Sequence, residues 1–388
     1  MFKVDIPPVT YSDPWNLSLH ERMKLLASGR RRVAYFYEAP NNSTFRYRAY
    51  NMAQVLNDDK SGDVSASFFF LQDWARIDEV VDLADVLVIC RSRYCHRLNQ
   101  LMMKFRLRGK RILFDIDDFV FDSSYAHLIM NTLDEDVGDP ARWDYWFSYI
   151  SRLGTALKMC DGAITTNHYL AEKIATFSGL PVVVIPNFMN KEQLNYSDAL
   201  FKRKQASGFA RDDKIHLGYF SGSPSHKLDY AIIMPALEAL LANNPRIELM
   251  VVGYIEAGAT LSKFGDRVKR QPFHDYVNLQ RVISNVEFNL MPLQSNAFTN
   301  CKSELKYFEA AVVGAISVAS PSYTYAGAIR DGENGYLAQA QEWLSVIEEA
   351  IENSARWPTL IENAREDARS KYGWFNQREV ILKALGVA

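Results

Sequence analysis

The sequence predicts an α/β protein with two doubly wound parallel sheets that face a common cleft. Its length of 388 residues is typical of two domains. Short apolar runs alternate with helical patterns along the chain, and these runs lack the polar–apolar alternation of half-exposed strands. Such runs are typical of strands covered on both faces. Because ligands of these sheets bind at the carboxyl ends of the strands, we expect the functional site between the two halves.

An extension precedes the first half. Residues 1–29 contain a proline-rich segment and a short amphipathic helix that ends at Gly29. Residues 30–190 are predicted to form the first α/β domain, with helices between its strands. These strands are predicted at 32–37, 65–70, 86–90, 111–114, 162–165 and 182–185.

The second half follows a polar, charged segment. Residues 191–213 indicate a connector or a helical bridge, and residues 214–355 are predicted to form the second α/β domain. Residues 356–388 are mostly helical in pattern, and we expect them to pack back toward the first domain. The strands of the second domain are predicted at 216–220, 248–252, 286–291 and 315–319.

Composition excludes several classes of protein. With 44 Lys and Arg against 46 Asp and Glu, the net charge is −2, so no overall basic excess favours a nucleic-acid partner. The four cysteines lack metal-ligand spacing, which favours reduced thiols and no bound metal. The sequence starts without a signal-peptide pattern and contains no run of about 18 apolar residues. We therefore expect a cytoplasmic protein.

The first candidate site lies at residues 290–320. A strand ends at Pro292, and Thr299 or Asn300 is placed to cap a helix. On that helix Lys302, Lys306 and Glu309 share one face, which we expect to line the cleft. A helix start beside two lysines suits a pyrophosphate, and a carboxylate two turns deeper suits ribose hydroxyls. On spacing alone, a solvated helix with Lys–Glu pairs explains the same pattern.

The second candidate site is the loop after the predicted strand 216–220. Gly222 allows close approach of backbone N–H groups to a phosphate, and several side chains of the loop can donate to its oxygens. These donors are Ser223, Ser225, His226 and Lys227. An ordinary turn has the same composition.

The third candidate site ends the predicted strand 111–114. Asp115, Asp117 and Asp118 place carboxylates at a carboxyl end that faces the cleft. Asp115 and Asp117 form a D-x-D pattern, which in another fold holds a divalent metal on donor phosphates. Alternatively, these carboxylates cap the segment that follows.

Taken in order, the first two segments resemble the nucleotide-sugar site of GT-B glycosyltransferases, which have two Rossmann-like domains. The closest similarity is to the retaining group called family 4, in its bacterial surface-polysaccharide branch. The K-x-x-E pattern matches Lys306 and Glu309, and Gly314 follows before an apolar strand. The pattern Ser-Gly-x-x-x-His-x-x-Asp matches residues 221–229. Cys301 departs from the family, because many members carry a first glutamate there that meets the sugar.

The resemblance implies a glycosyltransferase that moves a sugar, with retention, from a nucleotide-diphosphate sugar to a hydroxyl of a glycan or lipid-linked glycan. It implies surface-polysaccharide or lipopolysaccharide biosynthesis, with no metal and no cofactor beyond the donor. It also implies that Asp117 and Asp118 act on the acceptor side. The implied donor-binding residues are Gly222, Ser223, Ser225, His226, Lys227, Lys302, Ser303, Lys306 and Glu309.

Two basic segments suggest further contacts. Arg46 and Arg48 follow the first predicted strand, where they suit an acceptor phosphate or a solvated helix start. The segment from Arg91 to Arg111 holds eight basic residues and no acidic one. It is either a solvated helix face or a contact with anionic lipid headgroups that brings the protein to the inner face of the membrane.

Three alternatives remain beside the transferase. A sugar-nucleotide epimerase of the same fold would consume donor without an acceptor. A non-catalytic carbohydrate- or nucleotide-binding protein would bind without transfer. A Rossmann dehydrogenase has no support, because no G-x-G-x-x-G follows any predicted strand.

Overall fold

A computed structural model describes residues 1–59 and 61–387. It contains two six-stranded sheets, and every strand pair in both sheets is parallel. Helices connect successive strands and cover the sheets. Within the described residues, no helix is both long and apolar enough to cross a membrane. The prediction of two doubly wound parallel sheets is confirmed.

The first sheet has the strand order β2-β1-β3-β4-β5-β6. All six strands were predicted from their apolar runs, and three of them are wholly buried. The strands are β1 (Arg31–Tyr37), β2 (Val64–Phe70), β3 (Val86–Cys90), β4 (Arg111–Asp115), β5 (Gly162–Thr165) and β6 (Val182–Val184). The helices of this half are α1 (Leu19–Ala27), α2 (Asn51–Asp58), α3 (Ile77–Leu83), α4 (His96–Leu107), α5 (Ala126–Thr132), α6 (Pro140–Lys158) and α7 (His168–Ser178).

The second sheet has the order β12-β11-β10-β7-β8-β9. Its strands are β7 (Ile215–Ser221), β8 (Ile247–Gly253), β9 (Val268–Gln271), β10 (Phe288–Met291), β11 (Ile316–Ala319) and β12 (Tyr336–Leu337). The two edge strands β9 and β12 were not predicted. The remaining helices are α8 (Lys191–Ala206), α9 (Lys227–Asn243), α10 (Ala259–Ser262), α11 (Tyr276–Asn285), α12 (Ala297–Asn300), α13 (Leu305–Ala311), α14 (Tyr323–Ala328), α15 (Trp343–Glu352), α16 (Trp357–Tyr372) and α17 (Arg378–Leu385).

The terminal segments contact both halves. The backbone N–H of Phe2 donates to Asn285 of the second half, while α1 packs on β2 of the first. At the other end, α17 packs against α2. Arg111 at the start of β4 donates to the carbonyl of Leu385, 3.1 Å away. The two halves are therefore joined by more than the chain between them.

The polar segment 191–213 forms a partly buried helix. α8 buries Leu200 and Phe201, and the fully buried Lys204 donates from Nζ to the carbonyl of Gly314 at 2.7 Å. Burial lowers the pKa of Lys204 to about 7. This hydrogen bond fixes α8 to the turn between α13 and β11, so α8 belongs to the core of the second half.

Each sheet has one point where the strand order reverses. In the first sheet it lies between β1 and β3, and in the second between β7 and β10. The loops that leave neighbouring strands at such a point run in opposite directions and leave a crevice at the carboxyl ends. The loop 222–227 after β7 and the segment 292–304 after β10 border the crevice of the second sheet.

A buried ion pair positions the loop after β4. Arg48 lies in a π-helical turn, Arg46–Tyr50, and is completely buried. Its Nε and Nη2 donate to the two carboxylate oxygens of Asp115 at 2.7 and 3.1 Å. Its Nη1 donates to the carbonyl of Ile185 at 2.8 Å. The guanidinium therefore joins the ends of β4 and β6 just before Asp117.

Replacing Arg48 tests this role. Arg48→Ala leaves the Asp115 carboxylate buried without a partner, so we expect the free energy of unfolding to fall by about 3–5 kcal/mol. Urea denaturation measures the change. Arg76→Ala, which breaks the exposed pair with Glu79, is the control and is expected to change little. Equal small effects of both substitutions would contradict the structural role of Arg48.

Candidate active site

The loop after β7 is held by its own hydroxyl groups and lies open on one side. The side chains of Ser223 and Ser225 hydrogen-bond to each other at 2.8 Å, and Ser221 Oγ donates to the carbonyl of Ser223 at 2.7 Å. A Cβ at Gly222 would meet no atom within 4 Å. The loop therefore presents Gly222 to open space, as an anion-binding loop requires. Lys227 is exposed and lies 3.8 Å from Asp134 of the first half.

His226 is oriented by a carboxylate. Its Nδ1 lies 2.8 Å from Asp229, which also accepts from the backbone N–H of Gln294 at 3.0 Å. Burial, followed by the positive charge of Lys306, lowers the pKa of His226 below its ordinary value. Asp229 thus fixes the orientation of the His226 ring.

The helix predicted to carry Lys302, Lys306 and Glu309 is interrupted. Asn296, and not Thr299 or Asn300, caps the short helix α12, because its side chain accepts from the N–H of Thr299. A turn follows, and α13 starts only at Leu305. Lys302 lies in the turn, where its carbonyl accepts from Thr324 Oγ1 at 2.7 Å. The prediction of one continuous helix face for the three residues was wrong.

Lys306 is a cation without a counterion among the described residues. It lies in the first turn of α13, partly buried, and its Nζ is 5.4 Å from the centre of the Tyr219 ring. In the parts of the chain that the structure describes, no carboxylate lies within salt-bridge distance of it. Burial lowers the pKa of Lys306 to about 8, although Asp229 and Glu309 raise it. Three residues earlier, the hydroxyl of Ser303 is buried without a hydrogen-bond partner among the described residues. A bound anion would compensate the charge of Lys306.

The carboxylate of Glu309 accepts hydrogen bonds from the first half and from α8. Its Oε1 accepts from the hydroxyl of Tyr47 at 2.7 Å and from Gln193 Nε2 at 2.9 Å. Arg46 Nη2 lies 3.5 Å from the same oxygen. The carboxylate is therefore part of the contact between the halves in this conformation, and it is buried.

Asp117 and Asp118 lie at the carboxyl end of β4, in a network of charges. Thr44 Oγ1 donates to Asp117 at 2.9 Å, and Arg91 Nη1 donates to it at 3.2 Å. Asp118 pairs with Lys302 across the cleft at 3.2 Å. Burial raises the pKa of Asp118, but Lys302 and Arg91 outweigh this and hold it below the ordinary range. The structure thus brings the predicted acceptor-side carboxylates against a predicted donor-side lysine.

Arg46 and Arg48 are both held by protein groups. Both are buried, and Arg48 is engaged by Asp115 as described above. Arg46 donates to Gln193 Oε1 at 3.0 Å and lies between the rings of Tyr47 and Tyr276. With their donors directed at protein groups, neither is available to an acceptor phosphate in this conformation. Their sequence position suggested exposure because the partners lie far along the chain.

The D-x-D pattern is not arranged as a metal site. Both oxygens of Asp115 accept from Arg48, and Asp117 is engaged by Thr44 and Arg91. Among the residues that the structure describes, no cluster of three or more His, Cys, Asp or Glu side chains is arranged to hold a metal ion.

Half of the eight basic residues in the segment from Arg91 to Arg111 are paired with carboxylates. Lys104 and Arg108 pair with Asp78 and Asp82, both on α3. Arg93 pairs with Glu38 at 2.5 Å. On the other face of α4, Leu98, Leu101, Met102 and Phe105 are buried in the core.

Sequence reasoning missed three residues that border the cleft. Arg91 was assigned only to the basic segment, yet it contacts both Asp117 and Asp118 and adopts a left-handed backbone with φ of 35°. Tyr254 and Phe273 follow β8 and β9, with rings 5.4 Å apart. Because Ser221 pairs with Gly253, Tyr254 stands beside the start of the 222–227 loop. Their exposure of 53% and 47%, unusual for a ring pair, was not visible in the sequence.

Solved structures are similar to this chain over almost its full length. No family model and no curated protein matches the sequence. Among solved structures, HepE from Anabaena, in complex with UDP and glucose, has a TM-score of 0.61 at 15% identity. That match covers 92% of this chain and 99% of HepE.

Two other structures match over similar lengths. A glycosyltransferase from Rickettsia africae has a TM-score of 0.58 at 11% identity and covers 90% of this chain and 95% of its own. Sucrose-phosphate synthase from Thermosynechococcus elongatus has a TM-score of 0.57 at 13% identity, with coverage of 91% and 97%. Together with the two parallel six-stranded sheets, these matches establish that the chain has the GT-B fold.

Proposed function

We propose that this chain is a glycosyltransferase that moves a sugar from a nucleotide-diphosphate sugar to a hydroxyl of a glycan or lipid-linked glycan. The observation that carries the proposal is Lys306, a partly buried cation without a carboxylate partner among the described residues. It lies where the strand order of the second sheet reverses, which is where open α/β sheets bind ligands. HepE, which shares the fold, was solved with UDP and with UDP-glucose.

In this proposal the diphosphate lies between α13 and the loop after β7. Lys306 supplies the uncompensated positive charge, and the unpartnered hydroxyl of Ser303 supplies a donor. Lys302 contributes a second positive charge that it shares with Asp118. The loop adds its open backbone at Gly222 and donors from Ser223, Ser225, His226 and Lys227.

The nucleobase is proposed to stack on the exposed ring pair. Tyr254 and Phe273 stand at the same sheet edge as the phosphate loop, one and two strands away from it. An aromatic pair with nearly half of its surface exposed is a suitable platform for a planar base. The pair does not distinguish one base from another, because every base has a π-face.

The reaction breaks the bond between the sugar C1 and the diphosphate oxygen, and it forms a bond from C1 to the acceptor oxygen. The acceptor proton passes to the leaving diphosphate, so no further reactant is needed. Lys302 and Lys306 stabilise the negative charge that develops on the leaving group. Asp117 and Asp118 lie on the opposite side, where they orient the acceptor hydroxyl and favour positive charge at C1.

We also propose retention of configuration, membership of family 4 and a role in surface-polysaccharide synthesis, all on the resemblance of residues 221–229 and 306–319 to that family. Glu309 is proposed to bind the ribose hydroxyls. Since Tyr47 and Gln193 occupy it here, this requires the two halves to move apart locally when the nucleotide binds.

Nucleotide affinity should depend on pH through Lys306. Its pKa of about 8 means that it is charged at pH 7 and mostly neutral at pH 9. We therefore expect the Kd of the best-binding nucleoside diphosphate, chosen by thermal shift, to rise about tenfold between pH 7 and pH 9. Isothermal titration calorimetry measures it. Lys306→Arg keeps its charge over this range and should show a flat profile. A parallel pH dependence in both proteins would contradict the assignment.

Variants of Glu309 and of its partner Tyr47 distinguish a ribose-binding role of Glu309 from a structural role. Glu309→Gln should weaken nucleotide binding about 10- to 100-fold, because hydrogen bonds from ribose to a charged acceptor are lost. Tyr47→Phe frees the carboxylate and should leave the affinity equal or tighter. Nucleotide Kd and thermal unfolding are measured for both variants. If both weaken binding to the same extent, Glu309 serves only to join the halves.

Turnover should not require a divalent metal, because lysine side chains carry the phosphate charge. Release of nucleoside diphosphate from a donor sugar, with and without acceptor, should be unchanged by EDTA. Strict dependence on Mn²⁺ would contradict this part of the proposal. Conversion of the donor sugar to an epimer, without an acceptor, would instead identify a sugar-nucleotide epimerase.

A further inference from the structure

A cluster of aromatic side chains on α6 has no role in the site described so far. Five aromatic residues lie within the seven positions 143–149, and we call them the aromatic ridge: Trp143, Tyr145, Trp146, Phe147 and Tyr149. Tyr145 and Tyr149 stack with their ring centres 6.2 Å apart and an angle of 25°. Trp143 and Phe147 stack at 6.5 Å and 28°. Both pairs are one helical turn apart, so their faces line up along the helix.

The ridge has a partly buried side and an exposed side. Trp143, Trp146 and Tyr149 are partly buried and pack against the core of the first half, which α6 enters through Ile150, Leu153, Ala156 and Leu157. Tyr145 is 51% exposed and Phe147 is 45% exposed. Neighbouring aromatic rings that are exposed in this way mark an interaction site, because their contact with water is unfavourable.

The ridge is continuous with the acceptor side of the cleft. The guanidinium of Arg93 lies 5.6 Å from the centre of the Tyr149 ring and pairs with Glu38. Arg93 follows β3 and Glu38 follows β1, so Tyr149 stands where the first sheet reverses its strand order. Arg91, which contacts Asp117, lies two residues before Arg93. Tyr145 lies one helical turn before Tyr149 on α6.

The charges around the ridge favour an uncharged ligand. Arg142 lies 3.6 Å from Glu135, and Arg152 donates from Nε to the carbonyl of Tyr94 at 2.7 Å. Asp144 adds an exposed negative charge within the ridge itself. An anionic bilayer requires an excess of cations, which the ridge does not have. Faces of aromatic rings suit the C–H faces of sugars, and the tyrosine hydroxyls can hydrogen-bond to their hydroxyl groups.

We propose that the aromatic ridge is the binding site for the acceptor, an uncharged saccharide of at least two sugar units. The terminal unit lies on Tyr149, with its reacting hydroxyl toward Asp117, and the preceding unit lies on Tyr145. The role of this saccharide as acceptor rests on the proposed glycosyltransferase function, whereas its binding to the aromatic ridge does not.

The test is binding of the full-length chain to an array of uncharged disaccharides and longer oligosaccharides, followed by calorimetry with the best ligand. Tyr145→Ala and Tyr149→Ala should each weaken binding about tenfold, as loss of one ring face predicts. Tyr145→Phe keeps the ring and should bind nearly as the wild type does. Phe375→Ala removes an exposed ring elsewhere and should have no effect. Thermal unfolding identifies any variant that fails to fold.

The outcomes separate this inference from the proposed function. Absence of saccharide binding, or binding unaffected by loss of both tyrosine rings, overturns the inference, even if nucleotide binds normally. Binding to phosphatidylglycerol vesicles that is lost in the same variants also overturns it, and identifies a membrane contact. If the saccharide binds through the ridge but no nucleoside diphosphate binds anywhere, the glycosyltransferase proposal fails and the saccharide site stands. Tyr254→Ala should weaken nucleotide binding and leave saccharide binding unchanged.

Discussion

Parallel pairing of all strands is the constraint on which the cleft depends. In a parallel sheet every carboxyl end lies at the same edge, so the loops that carry polar residues meet there. The two sheets bring these edges together, and charges of opposite sign then face each other. Asp118 after β4 and Lys302 after β10 lie 184 positions apart in the chain and 3.2 Å apart in space. That pair joins the two halves at the point where the proposed function brings donor and acceptor together.

The two sides of the cleft differ in whether their charged side chains are compensated. On the first half, Asp117 and Asp118 are compensated by Arg91 and Lys302. On the second half, Lys306 is left without compensation among the described residues. A partly buried cation is unfavourable unless an anion binds it, and the lowered pKa of Lys306 reflects that cost. An anionic donor on the second half and an uncharged acceptor on the first fit this asymmetry.

The strands were predictable because burial on both faces leaves a continuous apolar run, as in β2 and β3. β9 was missed because its residues are Val-Lys-Arg-Gln at an exposed edge, where no apolar run is needed. The order of the 222–227 loop and the Lys306 segment along the chain was also visible in the sequence. The structural roles of Arg46 and Arg48 could not be predicted from the sequence, because their partners Gln193 and Asp115 lie 147 and 67 positions away. A sequence of basic residues does not show whether folding buries them.

The most direct test of the account is a crystal structure of the full-length chain with UDP or another nucleoside diphosphate that stabilises it. The account predicts diphosphate oxygens within hydrogen-bond distance of Lys306 Nζ, with the base against Tyr254 and Phe273. A nucleotide bound at another surface, or one bound in the cleft with Lys306 turned away from its phosphates, would contradict the central claim.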